Sequence, residues 1–233
     1  MTPLQAVLQR VSALQQRGAQ PVVVFDLDST LIDTAHRHLR ILREFCFESP
    51  DPEMERLAAG LVPTDIGWSL EDALQARGFD DDDTLRRLRT YWFARFFQDD
   101  YCRTDLPTRG APAFVRAVWE GGATVCYLTA RPLQTMGHGT LHTLQRWGMP
   151  VLTGRTVLHL KADPQQADHA FKQAALDDIA ALGHVAGTFE NEPANCNSFA
   201  DRFPDALHII VGGVHSPQAP PLDPRVLHIR DFA

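Results

Sequence analysis

Val22-Val23-Val24-Phe25-Asp26-Leu27-Asp28-Ser29-Thr30 joins a β-branched apolar run to two carboxylates spaced two residues apart. A run of this kind, without polar alternation, reads as a strand buried on both faces, the pattern of a parallel sheet covered by helices. Open α/β sheets bind their ligands at the carboxyl ends of the strands, where this run delivers Asp26 and Asp28. The chemistry that suits the loop is phosphoryl transfer through an aspartyl intermediate. Carboxylate and phosphate dianion repel each other, so such a site needs a divalent cation and further positive donors. Asp26 is expected to attack phosphorus. Asp28 is expected to serve as general acid and then general base, with its backbone carbonyl toward the metal, and Thr30 to hold the loop through its hydroxyl. Asp-x-Asp alone also occurs in metal-binding loops of sugar transferases and in ordinary strand-to-turn transitions, so the rest of the chain decides.

Three further stretches fall in the order such a site needs. Ala123 to Leu128 is a second apolar run ending in Thr129-Ala130-Arg131, which places a hydroxyl and backbone N–H groups, donors suited to phosphate oxygens, at a strand tip. Lys172 opens a helical pattern through Ala175, Leu176, Ile179 and Leu182, from which its ammonium can reach a phosphate. Read alone it is a solvated lysine at a helix end. Lys161 and Lys172 are the only lysines in the chain, and a rare residue in the expected slot favours a role. Val185 to Phe189 reads as a strand ending in Glu190-Asn191-Glu192-Pro193-Ala194-Asn195, which is either an oxygen-ligand cluster for Mg²⁺ or a turn with acidic caps.

In this order the four features resemble the haloacid dehalogenase-like (HAD) superfamily of aspartate-dependent phosphohydrolases. The first motif looks like Asp26-x-Asp28-x-Thr30, the second like Thr129 in Leu128-Thr129-Ala130-Arg131, the third like Lys172 and the fourth like Glu190-Asn191. The set spans residues 20 to 200, and four weak motifs in register are far more specific than any one. The resemblance implies Mg²⁺ held by Asp26, the Asp28 carbonyl and Glu190, aided by Asn191. It also implies that Thr129, Ala130 and Lys172 neutralise the phosphoryl oxygens, with Arg131, Glu192 and Asn195 in support. The fourth motif departs from the family's usual pair of aspartates or Gly-Asp: glutamate carries an extra methylene and asparagine no charge, and Glu192 is available to compensate. Lys161, after the strand-like Thr156 to Leu160, is the second candidate for the third motif; Lys172 is preferred because its helix leads into the fourth-motif strand.

Between the first two motifs lie helical patterns near residues 34–48, 51–60, 69–77 and 83–98, punctuated by Pro50, Pro52, Pro63 and Gly78. This reads as an all-helical insert. In the resembled family such an insert is a mobile cap that excludes water and selects the substrate. The expected organisation is a three-layer, Rossmann-like α/β core with a mainly parallel sheet at 1–32 and 107–233, and a helical cap at 33–106. The aromatic run Tyr91 to Phe97 is read mainly as the cap's own packing. Arg95 within it is marked as a cation that faces a substrate anion. His36 and His38, two apart, do not share a helical face.

A chain of 233 residues with 44% hydrophobic content suits one α/β domain plus an insert. A net charge of −7 and the lack of a basic run argue against nucleic acid as a partner and favour a small phosphorylated metabolite. Cys46, Cys102, Cys126 and Cys196 show no Cys-x-x-Cys spacing and read as small apolar residues in a reducing compartment. The first twenty residues place Leu4, Val7, Leu8, Val11 and Leu14 on one helical face, with no signal or membrane segment, so cytoplasmic residence is the expectation. Phosphohydrolase is the expected activity. A phosphotransferase or phosphomutase using the same residues, and a non-catalytic binding protein with a weakened metal site, are the alternatives.

Overall fold

A computed structural model describes all 233 residues. The chain runs α1 (Pro3–Gln16), β1 (Pro21–Phe25), β2 (Ile32–Asp33), α2 (Ala35–Glu48), α3 (Pro52–Gly60), α4 (Leu70–Gln75), α5 (Asp82–Phe96), β3 (Leu106–Pro107), α6 (Ala111–Glu120) and β4 (Thr124–Pro132). It continues through α7 (Leu133–Arg146), β5 (Thr156–Lys161), α8 (Asp168–Ala174), α9 (Leu176–Leu182), β6 (His184–Glu190), α10 (Pro193–Arg202), β7 (Leu207–Val211) and β8 (Leu227–Ile229). No helix is long and apolar enough to cross a membrane.

Six strands form one parallel sheet in the order β5-β4-β1-β6-β7-β8. Alternate residues of β1 serve opposite faces. Val23 and Phe25 join Val7, Val11, Phe114, Val115 and Val118 on one side, while Val22 and Val24 join Leu176, Ile179 and Phe199 on the other. Helices therefore cover both faces, which is the three-layer α/β architecture that the uninterrupted apolar runs imply. From β1 the chain moves outward to β4 and β5, then returns to β6 on the opposite side. β1 thus lies at the point where strand order reverses, the place where open sheets form a crevice.

Residues 34–105 lie between the two short strands β2 and β3, which pair antiparallel at Ile32 with Pro107 and Asp33 with Leu106. The helices between them build a hydrophobic core of their own from residues such as Leu39, Leu42, Met54, Leu74 and Leu88. Their starts follow the local sequence. Asp51, Ser69 and Asp81 each accept a hydrogen bond from a backbone N–H in the first turn, as capping residues do.

Lys172 differs from expectation in its local setting. It sits in the last turn of α8, not at a helix start, because the helical pattern breaks at Ala175 and resumes as α9.

Candidate active site

The loop after β1 is tied on both sides. Asp26 N–H donates to the Phe189 carbonyl at 2.9 Å, continuing the pairing with β6, and Ile32 N–H returns to the Leu27 carbonyl at 2.8 Å. Ser29 takes a φ of 60°, left-handed for a residue with a side chain, so the turn is tight and strained immediately after Asp28.

Asp26 is buried at the carboxyl end of β1. Lys172 Nζ donates to Asp26 Oδ1 at 2.7 Å and to Glu190 Oε2 at 2.7 Å. Two carboxylates share one ammonium, so one negative charge is left uncompensated in a water-poor space. Burial, reinforced by Glu190, pushes the Asp26 carboxyl up to about 7 against the opposing pull of Lys172. Burial works against the Lys172 charge, but Asp26 and Glu190 outweigh it and hold the ammonium above the ordinary lysine range.

Of the two lysines, only Lys172 reaches Asp26. Lys161 is turned to Asp168 Oδ1 at 2.6 Å and the Gln166 carbonyl at 3.1 Å. Thr129 and Ala130 border the same cavity as Asp26, and the Thr30 hydroxyl contacts Asn191 Oδ1 at 3.4 Å. Glu190, expected as a metal ligand, is instead turned behind Lys172. Its Oε1 accepts from the N–H groups of Asn191 and Glu192, each at 3.1 Å, and its side chain is outside the cavity wall. Asn191, Glu192 and Asn195 do border the cavity. Glu192 uses Oε1 for Ser216 N–H at 2.9 Å, and burial raises its carboxyl. Asn195 Oδ1 meets His169 Nδ1 at 2.8 Å.

The carboxylate of Asp28 faces guanidinium groups. Arg131 holds it as a fork, Nε to Oδ2 at 2.9 Å and Nη2 to Oδ1 at 2.5 Å, and Arg37 adds Nη2 at 3.3 Å. Both arginines also meet Asp105, Arg37 through Nε at 2.9 Å and Arg131 through Nη2 at 2.9 Å. Burial opposes ionisation of Asp28, but Arg131 and then Arg37 outweigh it and hold the carboxyl well below its usual range.

No three acidic, histidine or cysteine side chains converge into a ready-made cation cage. Mg²⁺ does not require one, since it binds through one or two carboxylates and keeps several waters. The uncompensated charge on Asp26 and the oxygen-rich turn at 190–192 fit such an ion.

No protein-family model and no curated protein matches the chain. Solved structures do. A protein assigned as a phosphatase in Clostridium difficile matches with a TM-score of 0.53 at 15% identity, over 86% of this chain and 89% of its own. A HAD-superfamily hydrolase from Ehrlichia chaffeensis matches at 0.52 and 14%, over 91% of each chain. The fold is that of the haloacid dehalogenase-like hydrolases. Protein tyrosine kinase A of Mycobacterium tuberculosis matches the same fold, at a TM-score of 0.52 and 16% identity over 91% of this chain and 94% of that one. The likeness therefore concerns the fold, and the direction of any phosphoryl transfer has to be argued from the site.

Above the HAD-like core, α5 of the insert turns Trp92, Phe93, Phe96 and Phe97 toward a cavity of about 710 Å³ whose floor holds Asp26. These aromatic residues go beyond the packing role expected of them, whereas Tyr91 does pack, edge-on to Phe45. Arg95 departs from expectation. It lies over the Tyr91 ring at 3.3 Å and pairs with Glu48 at 3.4 Å, away from the cavity. Two other arginines of the insert reach the site instead: Arg37, which contacts Asp28, and Arg89, which lines the cavity paired with Glu71. Arg37, His38 and Asp105 carry no signal in their spacing, since Arg37 and Asp105 are 68 residues apart and meet only when the insert closes on itself.

His38 is also in the cavity wall, with Trp92 Nε1–H donating to its Nδ1 at 3.1 Å. Burial, then the adjacent Arg37, pushes it down to about 3 from an ordinary value near 6.5. The sign of the pH effect follows. As pH falls below 6.5 the unfolded chain takes up a proton that the folded protein refuses, so stability is lost toward acid at up to about 1.4 kcal/mol per pH unit. His38→Gln, which cannot titrate, is expected to lose less stability than the native protein between pH 7 and 4.5 in urea unfolding.

Proposed function

We propose that this protein hydrolyses a small phosphomonoester, with Asp26 as the nucleophile. The observation that carries this reading is the buried Asp26, 2.7 Å from Lys172 at the carboxyl end of the central strand and open to a cavity that the helical insert roofs over. The residues fit Mg²⁺, which the Asp26 carboxylate, the Asp28 carbonyl and an oxygen of Asn191 or Glu192 would hold. When bound it supplies the positive charge that lets a carboxylate approach a phosphate dianion.

Asp26 attacks phosphorus, the P–O bond to the alcohol breaks, and a phosphoaspartate forms. Lys172, the Thr129 hydroxyl and the Ala130 N–H balance the charge on the transferring oxygens. A water molecule then attacks the phosphoaspartate, Asp26 is released as a carboxylate, and inorganic phosphate leaves. Asp28, ionised in its arginine fork, is set to take the proton from that water. To act as acid toward the leaving alcohol Asp28 must carry a proton, which requires the Arg131 fork as well as the Arg37 contact to open; with the fork closed the alcohol leaves as an alkoxide and takes its proton from water. Arg131 and Asn195 position their neighbours. A small metabolite in the cytoplasm is the substrate that the enclosed cavity suits.

The test is release of inorganic phosphate from a panel of phosphomonoesters with Mg²⁺ and with a chelator. Metal-dependent release is expected. Transfer to added alcohols without release would instead indicate a phosphotransferase, and silence on every ester would leave a binding role.

Thermal unfolding gives an independent check. With Asp26 pushed up to about 7, a proton competes with the cation below that pH. At ten times its Kd, Mg²⁺ should add about 1.4 kcal/mol, roughly 3 to 5 °C in Tm, at pH 8 and clearly less at pH 5.5. Equal shifts at both values would remove Asp26 from the cation site.

A further inference from the structure

The cavity is far larger than a phosphate group needs, and its far wall has a definite chemistry. Trp92 and Phe96 stack with ring centroids 4.4 Å apart at 28°. Trp68 and Phe93, also in the wall, are 49% and 57% exposed, so aromatic surface that no part of the protein covers lies at the cavity. A volume of about 710 Å³ falls in the range of pockets that enclose ring-bearing ligands. A short polyol phosphate would leave this wall in contact with water, and an aromatic ring stacked on it would not.

The wall also carries one oriented donor. An indole N–H only donates, so the Trp92 bond to His38 Nδ1 requires the imidazole proton to sit on Nε2. Nε2 makes no hydrogen bond within the protein, yet it is not a buried orphan, so it faces the cavity that His38 lines. The cations in the wall are already paired: Arg89 with Glu71, Arg131 with Asp28 and Asp105, Lys172 with Asp26 and Glu190. Nothing beyond the phosphate end is free to receive a second anion.

We propose that the substrate is a phosphomonoester whose alcohol portion carries a planar, uncharged aromatic ring with a hydrogen-bond acceptor on its edge, stacked on the aromatic wall of Trp68, Trp92 and Phe93, which Phe96 backs from behind, and held by His38 Nε2–H. This rests on the hydrolase reading and names its substrate class. His38 acts as a specificity residue at the ring and takes no part in the phosphoryl transfer.

Three esters separate the contributions: pyridylmethyl phosphate, its isostere benzyl phosphate, which lacks the ring acceptor, and glycerol 3-phosphate. The expected order of kcat/KM is pyridylmethyl over benzyl over glycerol, each step about tenfold, the scale of one buried hydrogen bond or one stacked ring. His38→Leu should collapse the pyridylmethyl-to-benzyl ratio toward one. His38→Gln, whose amide can accept from Trp92 and still donate to the cavity, should keep most of it. Binding of the free alcohols, followed by quenching of tryptophan fluorescence, needs no turnover. If no ester releases phosphate but pyridylmethanol still binds more tightly than benzyl alcohol and glycerol, the hydrolase reading fails and the ring site stands. If glycerol 3-phosphate is the best substrate, or if His38→Leu lowers all three esters equally, the ring site is wrong.

Discussion

Asp26→Asn is expected to eliminate phosphate release, lowering kcat by a factor of about 10⁴ or more, as loss of a nucleophile does. That factor corresponds to about 5.5 kcal/mol of transition-state stabilisation. The change keeps the shape of the side chain and an oxygen for Lys172, so the site is not dismantled. It also removes one of the two carboxylates that share a single ammonium, and that carboxylate is the one burial holds at about 7. The variant should therefore be as stable as the native protein in the absence of metal, or more so, with an equal or higher Tm. An inactive but fully stable variant separates chemistry from folding. Release above one tenth of the native rate would mean that phosphorus is attacked by something other than Asp26.

The parts of the fold governed by local pattern were legible in the sequence. Val22 to Phe25 is apolar at every position because β1 is central and covered on both faces, and that alone points to a parallel sheet. The carboxyl ends of β1 and β6 carry Asp26 and Glu190, and Thr129 lies beside them where the β4–β5 register shifts, because the strands run parallel toward one side of the sheet.

What escaped the sequence depends on side-chain direction and on docking of the insert. Glu190, Asn191 and Glu192 are consecutive in a turn, where the chain order does not say which one turns back to Lys172 and which opens to the cavity. Trp92 and Phe96 share a helical face that could equally pack inward, as Tyr91 does, and the docked position of α5 decides. His38 looked isolated beside His36 because its partner is an indole 54 residues away. Arg95 looked placed for a ligand because its neighbours are aromatic, yet one of those rings is what it covers.

Arg131→Met is expected to have the second largest effect, and on stability as well as rate. Arg37, Arg131, Asp28 and Asp105 form a cluster of two positive and two negative groups, with both guanidiniums and Asp105 fully or almost fully buried. Removing Arg131 leaves two carboxylates facing Arg37 alone. Breaking a buried network of this kind costs about 3 to 5 kcal/mol, roughly 6 to 20 °C in Tm for a chain of this size. Asp28 at the same time loses its bidentate partner, the stronger of its two arginines, so its carboxyl rises toward the ordinary range. The acid limb of the pH–rate profile should move to higher pH. Arg131→Met combined with Asp105→Leu restores the balance, leaving one pair, Arg37 with Asp28, and an apolar filler in place of the other. The double variant should recover at least half of the lost stability, because a matched apolar pair replaces a buried ion pair at little net cost. Activity should stay low, since Asp28 would then be held by a single 3.3 Å contact from the insert and no longer by a fork from the core. Recovery of rate together with stability would mean that the arginine fork only holds the protein together. Recovery of stability alone would mean that it aims Asp28 at the reacting phosphate.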